Sequence, residues 1–483
     1  MVRVVLAVSL ALLLAPVPRG HAGPTPDALA RAIDRVVDRA AFAPAFWGIE
    51  VRSLKTGRVL YARNAGKNFR PASTLKLVTT AAVLDAVGPE ARLRTTVETA
   101  GRLDGLGTIL GDVFLVGRGD PDLSGRFAEG NALLPFQEMA EALATAGVRR
   151  IEGRVIGHEG AFTGERRGSD WGWEDLTWSY GAEVSALSFG DNVVELKLAP
   201  GERAGEPAVL EAAPRSAYWN VVSTVTTAAA ASKKDLTLVR DPGSNHIRLS
   251  GTLPIGQTWE GKVALEDPAR YAATVLAEVL ETKGIHVTGP VATSSDPLPA
   301  DARVLAVHES PPLAELLKPV NKDSQNLHAE LLLRLLGERA RGEGSVAAGH
   351  EAVRAFLTRL GVPAEPWGLE DGSGLSRSDL VSPHGLVVLL EEMDHHPQAA
   401  AFRDSLAVMG KDGTLKNRLK GTAAEGRVLA KTGTLHRANA LAGYATTLAG
   451  DRLVFSIVVN NHTGPGPEAQ SAIDEICRIL VGR

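Results

Sequence analysis

The chain has 483 residues, 44% of them apolar and 22% charged, a balance close to that of soluble globular proteins. At about 150 residues per domain, this length predicts roughly three domains. A formal charge of −4, from 52 basic and 56 acidic residues, carries no basic footprint for nucleic acid, and the lone Cys477 excludes an internal disulfide, a cysteine zinc finger or an iron–sulfur cluster.

The first 22 residues read as a leader. Arg3 supplies the positive end, Val4 to Leu14 is an apolar run of 11 residues, and Gly20-His21-Ala22 offers small residues for cleavage. That run is too short to span a bilayer, and no later stretch reaches the ~20 apolar residues a span needs. The expectation is an exported protein, periplasmic, extracellular or cell-wall associated, with no integral span once the leader is removed. An N-terminal anchor is the alternative.

Residues 26–42 read as an amphipathic helix. Trp47–Ser53 and Arg58–Arg63 read as a hairpin turning at Thr56-Gly57, and Ser73 to Val87 as a helix. Near the C-terminus, Arg427–Leu435, Ala438–Thr446 and Arg452–Asn460 read as three strands, followed by a helix over Glu468–Val481. The two ends together predict one five-stranded antiparallel sheet flanked by helices, an α+β fold, built from residues 23–85 and 303–483. Residues 86–302 would be an inserted region of two nested subdomains. Within it, Met139–Val155 and Val275–Val291 echo each other, each a helix turning on glycine into a short strand. Residues 313–363 return to helical periodicity.

Three short motifs carry chemistry. In Ser73-Thr74-Leu75-Lys76, positions i and i+3 share a helix face, so Lys76 Nζ can reach Ser73 Oγ. A serine hydroxyl needs a base to become a nucleophile, and a lysine serves if burial and nearby positive charge, here from Lys431, lower its pKa. In Ser324-Gln325-Asn326, the serine can relay a proton between Lys76 and a leaving nitrogen, and Asn326 can bond both the base and a substrate amide. A plain helix cap is the bland alternative. In Lys431-Thr432-Gly433-Thr434, a charge and two hydroxyls suit a terminal carboxylate. Gly433 leaves room for a substrate laid along the strand, and the backbone N–H groups of Thr434 and Ser73 suit an oxyanion. Lys55-Thr56-Gly57 has similar letters and reads as the hairpin turn.

The order Ser-x-x-Lys, Ser-x-Asn, Lys-Thr-Gly resembles that of penicillin-binding proteins and serine β-lactamases. Ser73 and Ser324 are 251 residues apart, and Ser324 and Lys431 are 107 apart. Such a first gap, without a Glu-x-x-Leu-Asn motif in the second, resembles the D-Ala-D-Ala carboxypeptidases of the penicillin-binding-protein-4 type (peptidase family S13), which insert two domains there. Gly117–Pro121, Trp171–Asp175, Asp371–Ser376 and Gly410–Leu415 resemble further family segments.

The resemblance implies a penicillin-binding-protein-like catalytic domain and a serine carboxypeptidase acting on peptidoglycan stem peptides. Endopeptidase cleavage of cross-links would be the same chemistry on a longer substrate. It implies no cofactor and no metal, with β-lactams as covalent inhibitors. Ser73, Lys76 and Ser324 would be catalytic, and Asn326, Lys431, Thr432, Gly433 and Thr434 would bind substrate. His158 stands where the family's insert would place an Asp that grips the third stem residue, and Phe162 is a nearby candidate contact. A serine β-lactamase and a catalytically idle peptidoglycan-binding protein remain the alternatives. Trp171, Trp173 and Trp178 read as insert packing, His395-His396 as solvated, and Asp120-x-Asp122 as a turn.

Overall fold

The computed structural model describes residues 26–364 and 366–483. The predicted leader lies outside these residues. Helix α1 (Pro26–Val37) stops short of the expected helix, and a separate 3-10 turn covers Ala40–Phe42. Strands β1 (Phe46–Ser53) and β2 (Val59–Arg63) form the hairpin, and Lys55–Gly57 is its turn, with Gly57 N–H donating to Ser53 O. Helix α2 is Lys76–Val87.

The middle of the chain builds several small sheets. Strands β3 (Arg94–Thr99), β4 (Arg102–Leu103), β5 (Thr108–Leu110) and β6 (Val113–Val116) precede α3 (Leu134–Thr145), β7 (Arg150–Glu152) and β8 (Val155–His158). A second group, β9 (Val193–Ala199), β10 (Val209–Ala213), β11 (Asn220–Ser223), β12 (Thr226–Ala228), β13 (Asp235–Arg240), β14 (His246–Pro254) and β15 (Trp259–Ala264), makes a three-stranded and a four-stranded sheet. Then come α4 (Pro268–Thr282), β16 (His286–Val287), β17 (Val291–Ser294) and β18 (Arg303–Glu309).

The internal echo has a structural basis. Strands β7 and β16 lie side by side in parallel, as do β8 and β17. In each copy the chain crosses from one sheet to the other at a glycine, Gly153 between β7 and β8 and Gly289 between β16 and β17. A Cβ on Gly153 would lie 2.1 Å from Gly111 O, and one on Gly289 2.4 Å from Gly153 O, so each crossing rests on the backbone of its neighbour. The segment β5-Gly111-β6 is a third copy of the strand pair. Arg303–Glu309, expected on the peptidase side of the insert boundary, instead pairs with β3 in the sheet β17-β8-β6-β3-β18.

The C-terminal part carries α5 (Leu313–Asn321), α6 (Asn326–Arg341), α7 (Val346–Arg359), α8 (Pro383–His395), α9 (Ala399–Asp404), β19 (Ala407–Val408), β20 (Val428–Leu435), β21 (Ala438–Thr446), β22 (Arg452–Asn460) and α10 (Gly466–Val481). The main sheet has the order β19-β20-β21-β22-β1-β2 and is antiparallel throughout. It therefore has six strands rather than five. The extra edge, Ala407–Val408, is too short to show a period of two in sequence. One face of the sheet packs on α1 and α10, where Cys477 is buried among Ile473, Ile476 and Leu480. The other face packs on α2 and α5–α8. Coverage on both faces explains why β22 reads as a continuous apolar run. Among the described residues, no helix is long and apolar enough to cross a membrane.

Three smaller readings change. His396 is not solvated, because its ring bonds Asp85 at 3.1 Å. Asp120 and Asp122 do more than turn the chain, since both are buried beside His308. The tryptophans separate: Trp171 packs against a buried cluster while Trp173 is 74% exposed.

Candidate active site

The nucleophile segment enters α2 through a 3-10 turn, Ala72–Leu75, so Ser73 lies on the tighter turn and Lys76 opens the helix. Ala72 has φ +48°, a left-handed conformation that costs a residue with a Cβ about 1–2 kcal/mol. Its surroundings hold it there. A Cβ on Gly433 would lie 2.6 Å from Pro71 O, and one on Gly374 2.0 Å from Ala72 O. The space that a Cβ on Gly433 would fill is taken by the nucleophile turn, a close approach that the sequence did not reveal. The turn is wedged between β20 and the Asp371–Ser376 loop.

Lys76 is fully buried. Its Nζ donates to Ser73 Oγ at 3.0 Å, Asn326 Oδ1 at 2.6 Å and Ser373 O at 2.7 Å. Burial pushes its pKa down to about 7, against the pull of Asp371, Glu330 and Asp379. Burial therefore provides the lowering that the sequence reading shared between burial and Lys431. The depression by a neighbouring charge falls on Lys431, which is lowered well below the usual lysine value by burial and then by Lys76.

The loop behind Lys76 is organised by Asp371. Its carboxylate accepts the backbone N–H groups of Ser373, Gly374 and Ser376 at 3.0, 2.6 and 2.8 Å. Glu330 accepts from Gly372 N–H at 2.9 Å, and burial pushes its carboxyl up to about 7. Asp379, buried beside Asp371, is raised well above the carboxylate range, first by burial and then by Asp371.

Ser324 sits before α6 with φ +65°, and the cap of that helix is Gln325, whose side chain accepts from Leu327 N–H. Ser324 Oγ accepts from Lys431 Nζ at 2.8 Å. The relay read from the sequence ran between Ser324 and Lys76; the hydrogen bond seen here adds Lys431 beside it. Lys431 is fully buried and also donates to Thr432 O at 2.9 Å, so what β20 exposes is the Thr432 and Thr434 hydroxyls above it. Thr432 Oγ1 meets Thr414 Oγ1 at 2.9 Å. Asn326 opens α6, and while its Oδ1 faces Lys76, its Nδ2 donates to Tyr180 O at 2.8 Å.

All eight predicted site residues therefore converge around one centre. Ser73, Ser324, Asn326 and Thr434 line a cleft of 470 Å³ together with Gly374, Arg377 and His436. The insert reaches it through Glu174, Asp175 and Tyr180. His158 and Phe162 lie elsewhere: the His158 ring is buried against Asp296 O, and Phe162 fills the space left by Gly119. Motif reading missed Glu330, Ser373, Tyr180 and Arg377. Of these, only Ser373 lay in a segment with a visible family pattern.

The D-Ala-D-Ala carboxypeptidase 3 (S13) family model matches residues 29–480. A D-alanyl-D-alanine carboxypeptidase of Actinomadura sp. (strain R39) is 37% identical over 455 residues, covering 91% of this chain and 82% of that protein. The solved penicillin-binding protein 4 of Haemophilus influenzae superposes with a TM-score of 0.80 at 24% identity, over 93% of this chain and 98% of that one, a likeness of fold. The same protein complexed with a β-lactam gives 0.76 at 23% identity, over the same shares. With the family model spanning nearly the whole described chain and a relative at 37% identity, this protein belongs to the D-Ala-D-Ala carboxypeptidase 3 (S13) family.

Proposed function

We propose that the chain is an exported serine D-Ala-D-Ala carboxypeptidase that releases the terminal D-alanine of peptidoglycan stem peptides through an acyl-enzyme on Ser73. The observation that carries this reading is the buried Lys76 amine, bonded to Ser73 Oγ at 3.0 Å and held near neutral pH. A pKa near the working pH is what a general base requires.

Neutral Lys76 takes the Ser73 proton as Oγ bonds the carbonyl carbon of the penultimate D-alanine. The oxyanion lies between the backbone N–H groups of Ser73 and Thr434. The peptide C–N bond breaks, and the proton that Lys76 took from Ser73 passes through Ser324, whose Oγ accepts from Lys431 Nζ, to the leaving D-alanine amine, so that Lys76 is neutral again for the attacking water. Thr432 and Thr434 hold the substrate carboxylate, with Lys431 as the charge beneath. Asn326 Nδ2 has two hydrogens, one on Tyr180 O and one left for a substrate amide. Gly433 lets the nucleophile turn approach β20. Water then hydrolyses the ester. A β-lactam presents a similar carbonyl and carboxylate and acylates Ser73 by the same route. Family membership supports this reading, as does the β-lactam complex of the Haemophilus influenzae protein. The nested division is retained, with Arg303–Glu309 assigned to the insert.

Labelled penicillin should attach to Ser73, and Ser73→Ala should lose both labelling and D-alanine release from a pentapeptide. Retention of either overturns the reading. Mass analysis of cross-linked muropeptides after the same incubation shows whether cross-links are cut as well.

A further inference from the structure

We propose that the insert segment Trp171–Gly181 is a positioning clamp for Lys76, acting through Asp371 and Asn326. The inference rests on the reading of Lys76 as the base. Two of the three acceptors on Lys76 Nζ are held from this segment, which belongs to none of the three motifs.

The first is Ser373 O. Trp171 Nε1–H donates to Asp371 Oδ2 at 2.9 Å, and Asp371 in turn gathers the backbone N–H groups that fix the Ser373 peptide. The second is Asn326 Oδ1. Tyr180 O accepts from Asn326 Nδ2, and that bond decides which end of the amide faces the lysine. As the base, Lys76 turns its lone pair to the Ser73 hydroxyl and its two hydrogens to Ser373 O and Asn326 Oδ1, so the reversed amide would set an N–H donor against one of those hydrogens. Between these two contacts the segment is pinned by Asp175, which bonds Arg377 at 2.9 Å and accepts Gly172 N–H at 3.0 Å.

The clamp is also electrostatic. Lys76 is faced by Asp371, Glu330, Asp379 and the buried Lys431, and the three carboxylates favour its protonated form. Asp371 is further faced by Arg334, His350 and the Trp171 indole. A donor on a carboxylate oxygen draws charge from it, so the indole weakens the hold of Asp371 on a Lys76 proton. Trp171 also packs near Val184, Leu327 and Leu331. A role confined to packing predicts a loss independent of pH, which separates the two readings.

The experiment measures penicillin acylation of Trp171→Phe against pH, since phenylalanine keeps a ring and removes the N–H. The acid limb should move up by about half a pH unit, making acylation roughly three-fold slower below the limb and equal to wild type well above it. Asp175→Asn, which loosens the segment while leaving the indole in place, should move the limb the same way by less, and it serves if Trp171→Phe does not fold. Superimposed profiles, or a parallel loss at every pH, overturn the clamp. A wild-type protein that takes no label at Ser73 overturns the underlying reading and the clamp with it.

Discussion

Helix α6 separates two buried charge clusters that behave in opposite ways. Asn326, Glu330 and Arg334 follow the i, i+4 row of one face, toward Lys76. His328, two residues round from Asn326, points the other way, to Asp191 of the insert at 2.9 Å. On the first face burial wins: Lys76 and Glu330 are both brought to about 7, and Asp379 is raised well above its ordinary value. On the second, burial also pushes Asp191 up, but His328 and Arg126 together outweigh it and hold the carboxyl below the usual range. The difference is in partners. Asp191 has a cation or ring nitrogen on each oxygen, with Arg126 at 2.7 Å, whereas the groups around Lys76 share few close opposite charges. A group near its protonation midpoint can pass a proton. A group locked far from it can only hold two pieces of chain together.

That contrast can be broken by substitution. Lys76→Ala should cost at least about a hundred-fold in penicillin acylation, as loss of a general base does, while the melting temperature stays within a few degrees. A variant that unfolds instead would place Lys76 with the locked charges. Asp191→Ala should lower the unfolding free energy in urea by about 3 kcal/mol, because it leaves the buried His328 without its partner and takes the nearer carboxylate from Arg126. The pH dependence follows from the depressed carboxyl. Its contribution is present above the unfolded pKa of about 4 and fades as pH falls through the folded value. The gap between wild type and variant should therefore narrow on acidification; a gap that widens would contradict the assignment. The smallest effect belongs to an exposed pair, Glu195 with Lys262 at 2.5 Å. Glu195→Gln should change stability by less than about 1 kcal/mol. A loss larger than that of Asp191→Ala would remove burial as the variable that matters.

Much of this site was legible before folding. The Ser73–Lys76 contact follows from i, i+3 geometry even though the turn proves to be 3-10, because Lys76 remains one turn on. The strand bounds of β21 and β22 match the predicted runs, since both are long and end at clear turn residues. Ser324 was found, but its bond from Lys431 was not, because no local spacing relates the two residues. Gly433 was recognised as a place of close approach for substrate, but the approach of Pro71-Ala72 was not. Trp171 stood out only as part of a family-like segment and was read as packing, and Tyr180 gave no signal. One acts through its indole against a loop 200 residues away, and the other through a backbone carbonyl, which any residue type would supply.

The sequence by itself determined the reactive groups, their order, and the neighbours that lie within a turn or a strand pair, because bond geometry sets those distances over a few residues. The long gap between the first two motifs also suggested the nested division proposed above. Only the tertiary structure decided the chemical state of those groups. Whether Lys76 is an ordinary cation or a base near neutral pH depends on which surfaces exclude water from its amine. Those surfaces come from α6, the Asp371 loop, β20 and the insert, none of which is adjacent to it in the chain.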